Sequence, residues 1–253
     1  MSVPDNLKED IEEPEHAEAE MTFLGHLEEL RWRLIYSIIG VFIGAVAAWI
    51  FIDPLVNYIL LKPAKDAGTI LQNLKPFGQL ILFIQVAVIV GIILSLPNIF
   101  YQLWKFIAPA LQKNEKKYIF GVVFFTSVCF LAGVVFAYFV ILPLALQFVS
   151  EFGTEDIANN FAINEYMNII ISLMLGAGLV FELPMLSFFL TKLGILTPAF
   201  MRKYRKYAIV ILLIFSALFT PPDPASQIML GVPLVLLYEI SIFISKISMR
   251  KSD

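Results

Sequence analysis

Three acidic side chains stand where a carboxylate is unusual in an apolar chain. Glu29 lies one helical turn before Arg33 in the segment 22–33, and Glu115 is the only acid in a lysine-rich stretch. Glu182 interrupts the apolar run 176–189. A charge at the centre of a membrane helix costs about 3 kcal/mol on insertion scales, so such residues are functional candidates by default.

Two of these carboxylates could act together on a cationic ligand. If Glu29 and Glu115 share one face, they suit a ligand with paired guanidinium groups, because each guanidinium can bind a carboxylate through two hydrogen bonds. Other interpretations stay open. The Glu29–Arg33 spacing is also that of an ordinary helical ion pair worth about 0.2–0.5 kcal/mol, Glu115 could neutralise a basic loop, and Glu182 could be protonated inside the bundle.

Polar residues also mark the start of the last apolar segment. Asp223 and Gln227 follow a proline turn, where Asp223 could equally serve near a helix N-cap. In the first apolar segment, Gly40 and Gly44 form a GxxxG pattern, which indicates close helix packing without naming the partner helix.

Conventional catalysis is excluded by what the sequence lacks. It has no GxxxxGK[ST], HExxH or GxSxG motif. Its one cysteine and two histidines make a structural zinc site improbable on composition. We therefore expect no enzyme activity, no metal and no cofactor, with energy coming from an ion gradient or a partner.

The elements that position these acids are predicted to be membrane helices. The chain has 253 residues, of which 59% are hydrophobic and 15% charged, and its mean hydropathy is +0.81. A membrane helix needs about 20 apolar residues. Six segments approach or reach this length: 34–52, 79–103, 118–142, 166–191, 207–219 and 227–245. The sequence predicts an all-α integral membrane protein with six transmembrane helices, the last two short.

Basic residues set the predicted orientation. Fourteen lysines and arginines flank the spans on one side and three on the other, which places both termini in the cytoplasm. Residues 1–20 carry a net charge of −7 and read as a disordered leader, or alternatively as an acidic interaction arm. The expected organisation is this leader, a membrane domain over 21–247, and a short cytoplasmic tail over 248–253.

An ordered set of motifs resembles the TatC family, the multi-span subunit of the twin-arginine protein translocase. The motifs are HLEELR (26–31), Pro54, YQLWKFIAPAL (101–111), FAYF (136–139), LPL (142–144), FELP (181–184), TPPD (220–223), SQ (226–227) and Pro233. Each motif is weak alone, but together they run in order over about residues 22–247.

The resemblance implies a receptor for twin-arginine signal peptides of folded cargo. By position, it implies that Glu29 and Glu115 receive the arginine pair, with Arg31 and Phe106 at the same surface. Glu28 adds a second carboxylate about 100° from Glu29 on a helix, and motif position favours Glu29.

The resemblance also assigns roles elsewhere in the chain. Glu182 matches the family's buried membrane glutamate, and Asp223 and Gln227 match positions where partner helices dock. The motif prolines Pro54, Pro143 and Pro184 are expected to be structural.

The implied setting is a bacterial-type cytoplasmic (inner) membrane, with export driven by the proton-motive force. TatA- and TatB-type single-span subunits, surrounding lipid and further copies of the chain are the implied partners, and no nucleic acid is expected. Two rivals remain: a proton- or cation-coupled small-solute transporter using Glu182 and Asp223, and a scaffold that only gathers other helices.

Overall fold

The computed structural model describes residues 23–107, 119–151, 160–219 and 224–250. Glu115, Asp223 and the leader 1–20 lie outside these residues, and so do the predictions that rest on them. The helices are α1 Phe23–Ile50, α2 Ile52–Pro54, α3 Lys62–Asp66, α4 Gly78–Ile107, α5 Ile119–Phe136, α6 Leu142–Glu151, α7 Ile163–Phe181, α8 Leu183–Lys192, α9 Pro198–Lys203, α10 Arg205–Phe219 and α11 Pro224–Arg250. Two π-helical turns, Leu55–Leu60 and Ala137–Ile141, and two strands, β1 Ile70–Gln72 and β2 Asn160–Ala162, complete the described elements.

Five helical segments in the described residues are long and apolar enough to cross a membrane. They are Gly25–Ile50, Gly78–Ile107, Phe120–Phe148, Ile163–Lys192 and Gly231–Met249. The first four contain most of the first four predicted spans, which confirms their helical character. The predicted fifth span forms α10, whose 15 residues rise about 22 Å.

The expectation of a short final helix is wrong. Helix α11 has 27 residues, from Pro224 to Arg250. Pro224 is its first residue, a position where the missing N–H costs no intrahelical hydrogen bond. At the other end, Ser248 lies beyond the predicted span and is still buried.

Helices α1 and α4 pack closely through the predicted GxxxG pattern. A Cβ atom on Gly44 would lie 2.7 Å from the carbonyl oxygen of Gly91, and one on Gly91 would lie 2.6 Å from the amide nitrogen of Ala45. Only glycine allows the two backbones to approach this closely. The structure thus identifies α4 as the helix that the pattern in α1 contacts.

Several helix ends that carry basic residues meet at one end of the bundle. Trp104 meets Phe189 with ring centroids 4.7 Å apart, and the Thr191 and Ser245 hydroxyls are 2.7 Å apart. These contacts gather the ends of α4, α8 and α11, together with the start of α1, at one end of the bundle. We call it the basic end, defined by Arg33, Lys105, Lys192 and Lys246.

The opposite end is held by tyrosine hydroxyls and a short sheet. Tyr166 donates a hydrogen bond of 2.7 Å to the carbonyl oxygen of Leu60, and Tyr138 donates one of 2.6 Å to that of Ile59. Strands β1 and β2 pair in parallel, with Ile70 opposite Asn160. The all-α expectation missed this pair because three residues are too few to show an alternating pattern.

Candidate ligand site at the basic end

Glu29 is held in place by its own helix. Arg33 Nη2 donates a hydrogen bond of 2.8 Å to Glu29 Oε1, and the two side chains are only 18% and 21% exposed. The predicted i,i+4 pair is therefore formed. Within the described residues Glu29 Oε2 has no hydrogen-bond partner, so this oxygen can accept a further cationic donor.

Side chains of α4 complete the support for this pair. Arg33 Nη1 donates to Gln102 Oε1 at 3.3 Å, and Gln102 Nε2 lies 3.5 Å from Asn98 Oδ1. Asn98 Nδ2 in turn donates to the carbonyl oxygen of Tyr36 at 3.1 Å. The network joins α1 to α4 beside Glu29 and so restrains the carboxylate.

Sequence reasoning did not find this network. Gln102 belongs to the motif YQLWKFIAPAL, and Asn98 belongs to none of the motifs. Amides of this kind carry no spacing signal that joins α4 to α1, because the two residues are 69 and 62 positions from their partners.

An aromatic side chain borders the same site. The rings of His26 and Phe106 stack with centroids 4.4 Å apart and planes inclined by 23°. His26 lies three residues before Glu29, on the same helical face. Phe106 therefore packs against the face of α1 that carries Glu29.

Arg31 is placed differently. It lies two residues after Glu29, about 200° around α1, and it is exposed. No hydrogen bond or ion pair joins it to the network among the described residues. The structure thus brings Glu29 and Phe106 together and leaves Arg31 on another face, while Glu115 lies outside the described residues.

Glu182 occupies the break between two helices of one membrane-spanning segment. It lies between the end of α7 at Phe181 and the start of α8 at Leu183. Its Oε1 atom is buried and has no hydrogen-bond partner in the part of the chain that the structure describes. Pro184, the second residue of α8, is buried and has no amide N–H to donate. A buried carboxyl oxygen beside an opened backbone is an unsatisfied polar group.

Gln227 joins the last two helices. Its Nε2 donates to the carbonyl oxygen of Leu213 at 3.4 Å, and its own carbonyl oxygen accepts a 2.9 Å hydrogen bond from the Ser216 hydroxyl. The polar position that the resemblance implies for partner docking is therefore used to connect α10 with α11.

The remaining motif prolines lie at helix junctions. Pro54 ends α2 and precedes a π-helical turn, and Pro143 is the second residue of α6, directly after the other π-helical turn. Proline removes one backbone donor, and both positions coincide with a change of helix type. The structural role expected for these prolines fits their placement.

The described residues contain no group of three or more histidine, cysteine, aspartate or glutamate side chains that could hold a metal ion. The site at the basic end consists of the partly buried Glu29 carboxylate, the Phe106 ring, and the supporting side chains of Arg33, Gln102 and Asn98. Such a site can bind a guanidinium or ammonium ligand.

Comparison with known proteins identifies the family. Residues 25–233 match the family described as Sec-independent protein translocase protein (TatC). The TatC protein of Helicobacter pylori (strain ATCC 700392 / 26695) is 40% identical over 221 residues, covering 87% of this chain and 86% of the relative. TatCy of Bacillus subtilis (strain 168) is 37% identical over 236 residues, covering 92% of each chain.

A solved structure agrees with the sequence relatives. The crystal structure described as the twin-arginine translocase receptor TatC matches with a TM-score of 0.76 at 38% identity, covering 88% of this chain and 99% of that one. On this sequence and structural agreement, the chain belongs to the TatC family of Sec-independent protein translocase proteins.

Proposed function

We propose that this protein is the receptor and core subunit of a twin-arginine translocase, binding Arg-Arg signal peptides of folded proteins. The observation that supports this most is the Glu29 carboxylate, which Arg33 and Gln102 hold beside Phe106 with one oxygen free. The solved relative is called a twin-arginine translocase receptor, which agrees with a ligand that carries guanidinium groups.

Paired carboxylates account for a preference for arginine. A guanidinium presents a planar fork that matches a carboxylate with two parallel hydrogen bonds, whereas lysine presents a point charge on a flexible stem. Hydrogen bonds to charged groups contribute about 1.5–3 kcal/mol each. In this proposal Glu29 takes one arginine, Glu115 takes the other, and Phe106 contacts the ligand's apolar part. Arg31 lies at the same end of the bundle but on another face of α1.

We extend the proposal to the membrane arrangement. The chain has six spans, α10 being the short fifth one, with both termini and the basic end in the cytoplasm of a bacterium. It works in the inner membrane with TatA- and TatB-type subunits and further copies of itself, and the proton-motive force drives export. Asp223 and Gln227 lie where partner helices dock, and Glu182 provides the intramembrane polar group.

The small-solute transporter is not favoured, because the family and its relatives are protein translocase components. Glu182 is buried at a helix break, but no second described acid accompanies it.

Peptide binding to the purified protein tests the receptor proposal. A labelled signal peptide with Arg-Arg should bind, and its Lys-Lys version should bind at least about tenfold more weakly, since each lost charged hydrogen bond costs 1.4 kcal/mol or more. Glu29→Gln and Glu115→Gln should each weaken binding of the Arg-Arg peptide by a similar factor.

Glu28→Gln is the matched control. It removes the same charge one residue from Glu29 but on a face about 100° away, so binding should stay within about twofold of wild type, as for other exposed substitutions. Equal binding of the two peptides by the wild-type protein would refute the carboxylate-pair mechanism. If Glu28→Gln weakened binding as much as Glu29→Gln, binding would depend on the net charge of the segment and not on the position of the Glu29 carboxylate.

A further inference from the structure

A cleft of about 880 Å³ opens at the end of the bundle opposite Glu29. Helix α3 and the π-helical turn before it form one wall, and the α5–α6 segment forms the other. Its volume falls within the roughly 300–1,000 Å³ of typical ligand sites. The proposed receptor site does not use this cleft.

The cleft changes from apolar to polar along its length. Val134 and Met174 line its inner part, whereas Gln147 and Ser150 line its outer rim. Val134 and Gln147 are thirteen residues apart on one helical segment, which is about 20 Å along its axis. Half of a bilayer's hydrocarbon core is about 15 Å thick. The cleft therefore has the depth of a single lipid leaflet and is too short for a spanning partner helix.

Opposite charges stand together at the rim. Lys62 and Asp66, one turn apart on α3, both line the cleft and are exposed. Although an i,i+4 pair could form an ion pair, the described residues contain none between these two side chains. A cation and an anion that have no charged partner among the described residues can each contact the opposite charge of a zwitterionic ligand.

Two tyrosines indicate where the rim of the cleft lies relative to the membrane surface. Tyr58 and Tyr138 line the cleft, and tyrosine is enriched where membranes meet water. The hydrogen bond from Tyr138 to the carbonyl oxygen of Ile59 fixes its ring as part of the wall. The polar rim thus sits at the membrane interface with the apolar part beneath it.

We propose that this cleft binds one phospholipid with a phosphoethanolamine headgroup. Lys62 contacts the phosphate and Asp66 accepts hydrogen bonds from the primary ammonium, while an acyl chain packs against Val134, Phe139 and Met174. A primary ammonium has three N–H donors for Asp66, whereas a choline headgroup has none. A glycerol headgroup offers Asp66 only neutral hydroxyl donors and brings no cation to offset the Asp66 charge.

Native mass spectrometry of the purified full-length protein tests this proposal. Phosphatidylethanolamine, phosphatidylcholine and phosphatidylglycerol with identical acyl chains would be added in equal amounts. One phosphatidylethanolamine per chain should be retained, roughly tenfold more strongly than the other two, because one charged hydrogen bond separates them.

Two charge variants and two controls make the test specific. Asp66→Asn should remove the preference for phosphatidylethanolamine and raise relative retention of phosphatidylglycerol, which a general loss of structure would not do. Lys62→Gln should lower retention of all three lipids. Asp53→Asn and Lys65→Gln alter exposed charges at the same end that do not line the cleft, and should leave selectivity unchanged.

A third variant tests the apolar part. Val135 is an exposed residue of the cleft wall, and Val135→Trp should fill the space and weaken all three lipids equally. Equal retention of the three lipids by wild type, or unchanged selectivity in Asp66→Asn, would overturn the proposal. So would recovery of a protein helix in the cleft in place of lipid.

Discussion

Replacing Arg33 should tighten binding of a twin-arginine peptide, although Arg33 lies within the proposed site. The Arg33 guanidinium already occupies Glu29 Oε1 at 2.8 Å. A ligand arginine on Oε2 would bring the two cationic centres within roughly 6–7 Å, where repulsion at an effective dielectric constant near 20 is about 2.5 kcal/mol. Arg33 therefore opposes the ligand that Glu29 attracts.

The net effect also includes the loss of support for Glu29. Arg33→Gln removes the hydrogen bond that orients the carboxylate, which costs about 1 kcal/mol. The difference leaves roughly 1–1.5 kcal/mol in favour of the variant, equal to about five- to tenfold tighter binding. Because the Debye length shortens from about 10 Å at 0.1 M salt to about 3 Å at 1 M, this gain should shrink as salt is added.

Fluorescence anisotropy with a labelled Arg-Arg peptide measures the effect on purified protein. Arg33→Lys keeps the charge and should bind close to wild type. Lys105→Gln removes a charge from the same end, where Lys105 lies over the Tyr101 ring at 5.6 Å, and should change little. Weaker binding by Arg33→Gln than by Arg33→Lys would refute the reasoning and make Arg33 part of the attraction.

Two further predictions concern stability, measured by thermal unfolding in detergent. Tyr166→Phe should destabilise the protein by about 1–3 kcal/mol, because it leaves the buried carbonyl oxygen of Leu60 without its partner. Tyr138 is only half-buried, so the matched variant Tyr138→Phe should reduce the free energy of unfolding by less. A larger reduction in Tyr138→Phe than in Tyr166→Phe would contradict the burial argument. Gly91→Val should separate α1 from α4 and lower the free energy of unfolding by about 1–3 kcal/mol or more. Gly121→Val is the control, because a side chain at Gly121 meets open space. Equal Tm values for the two glycine variants would rule out the close-packing account.

The membrane character of this protein was predictable because it depends on composition along the chain. Apolar runs of about 20 residues predict membrane helices, because a helix satisfies its own backbone hydrogen bonds in lipid. The structure confirms long helices at the first four predicted spans. The length of the apolar run underestimated α11, because the helix continues beyond that run at both ends, from Pro224 to Arg250.

The site was predictable in part. The spacing of Glu29 and Arg33 predicts their ion pair, because i and i+4 side chains meet on any α-helix. The stacking of His26 on Phe106 and the link from Arg33 to Gln102 depend on how α1 lies against α4. That geometry includes the Gly44–Gly91 contact, where the GxxxG pattern of α1 predicts close packing but does not specify α4 as the partner.

The sequence by itself determined the class of protein, the family and the acids of interest. Hydropathy, charge distribution and motif order are properties of residues near one another in the chain, and the family comparison confirms the assignment. Only the tertiary structure decided that Gln102 and Asn98 of α4 support the Glu29–Arg33 pair and that Phe106 stacks on His26. It alone placed Lys62 and Asp66 at the rim of a cleft formed with α5 and α6, because such contacts join residues far apart in sequence whose meeting depends on helix packing.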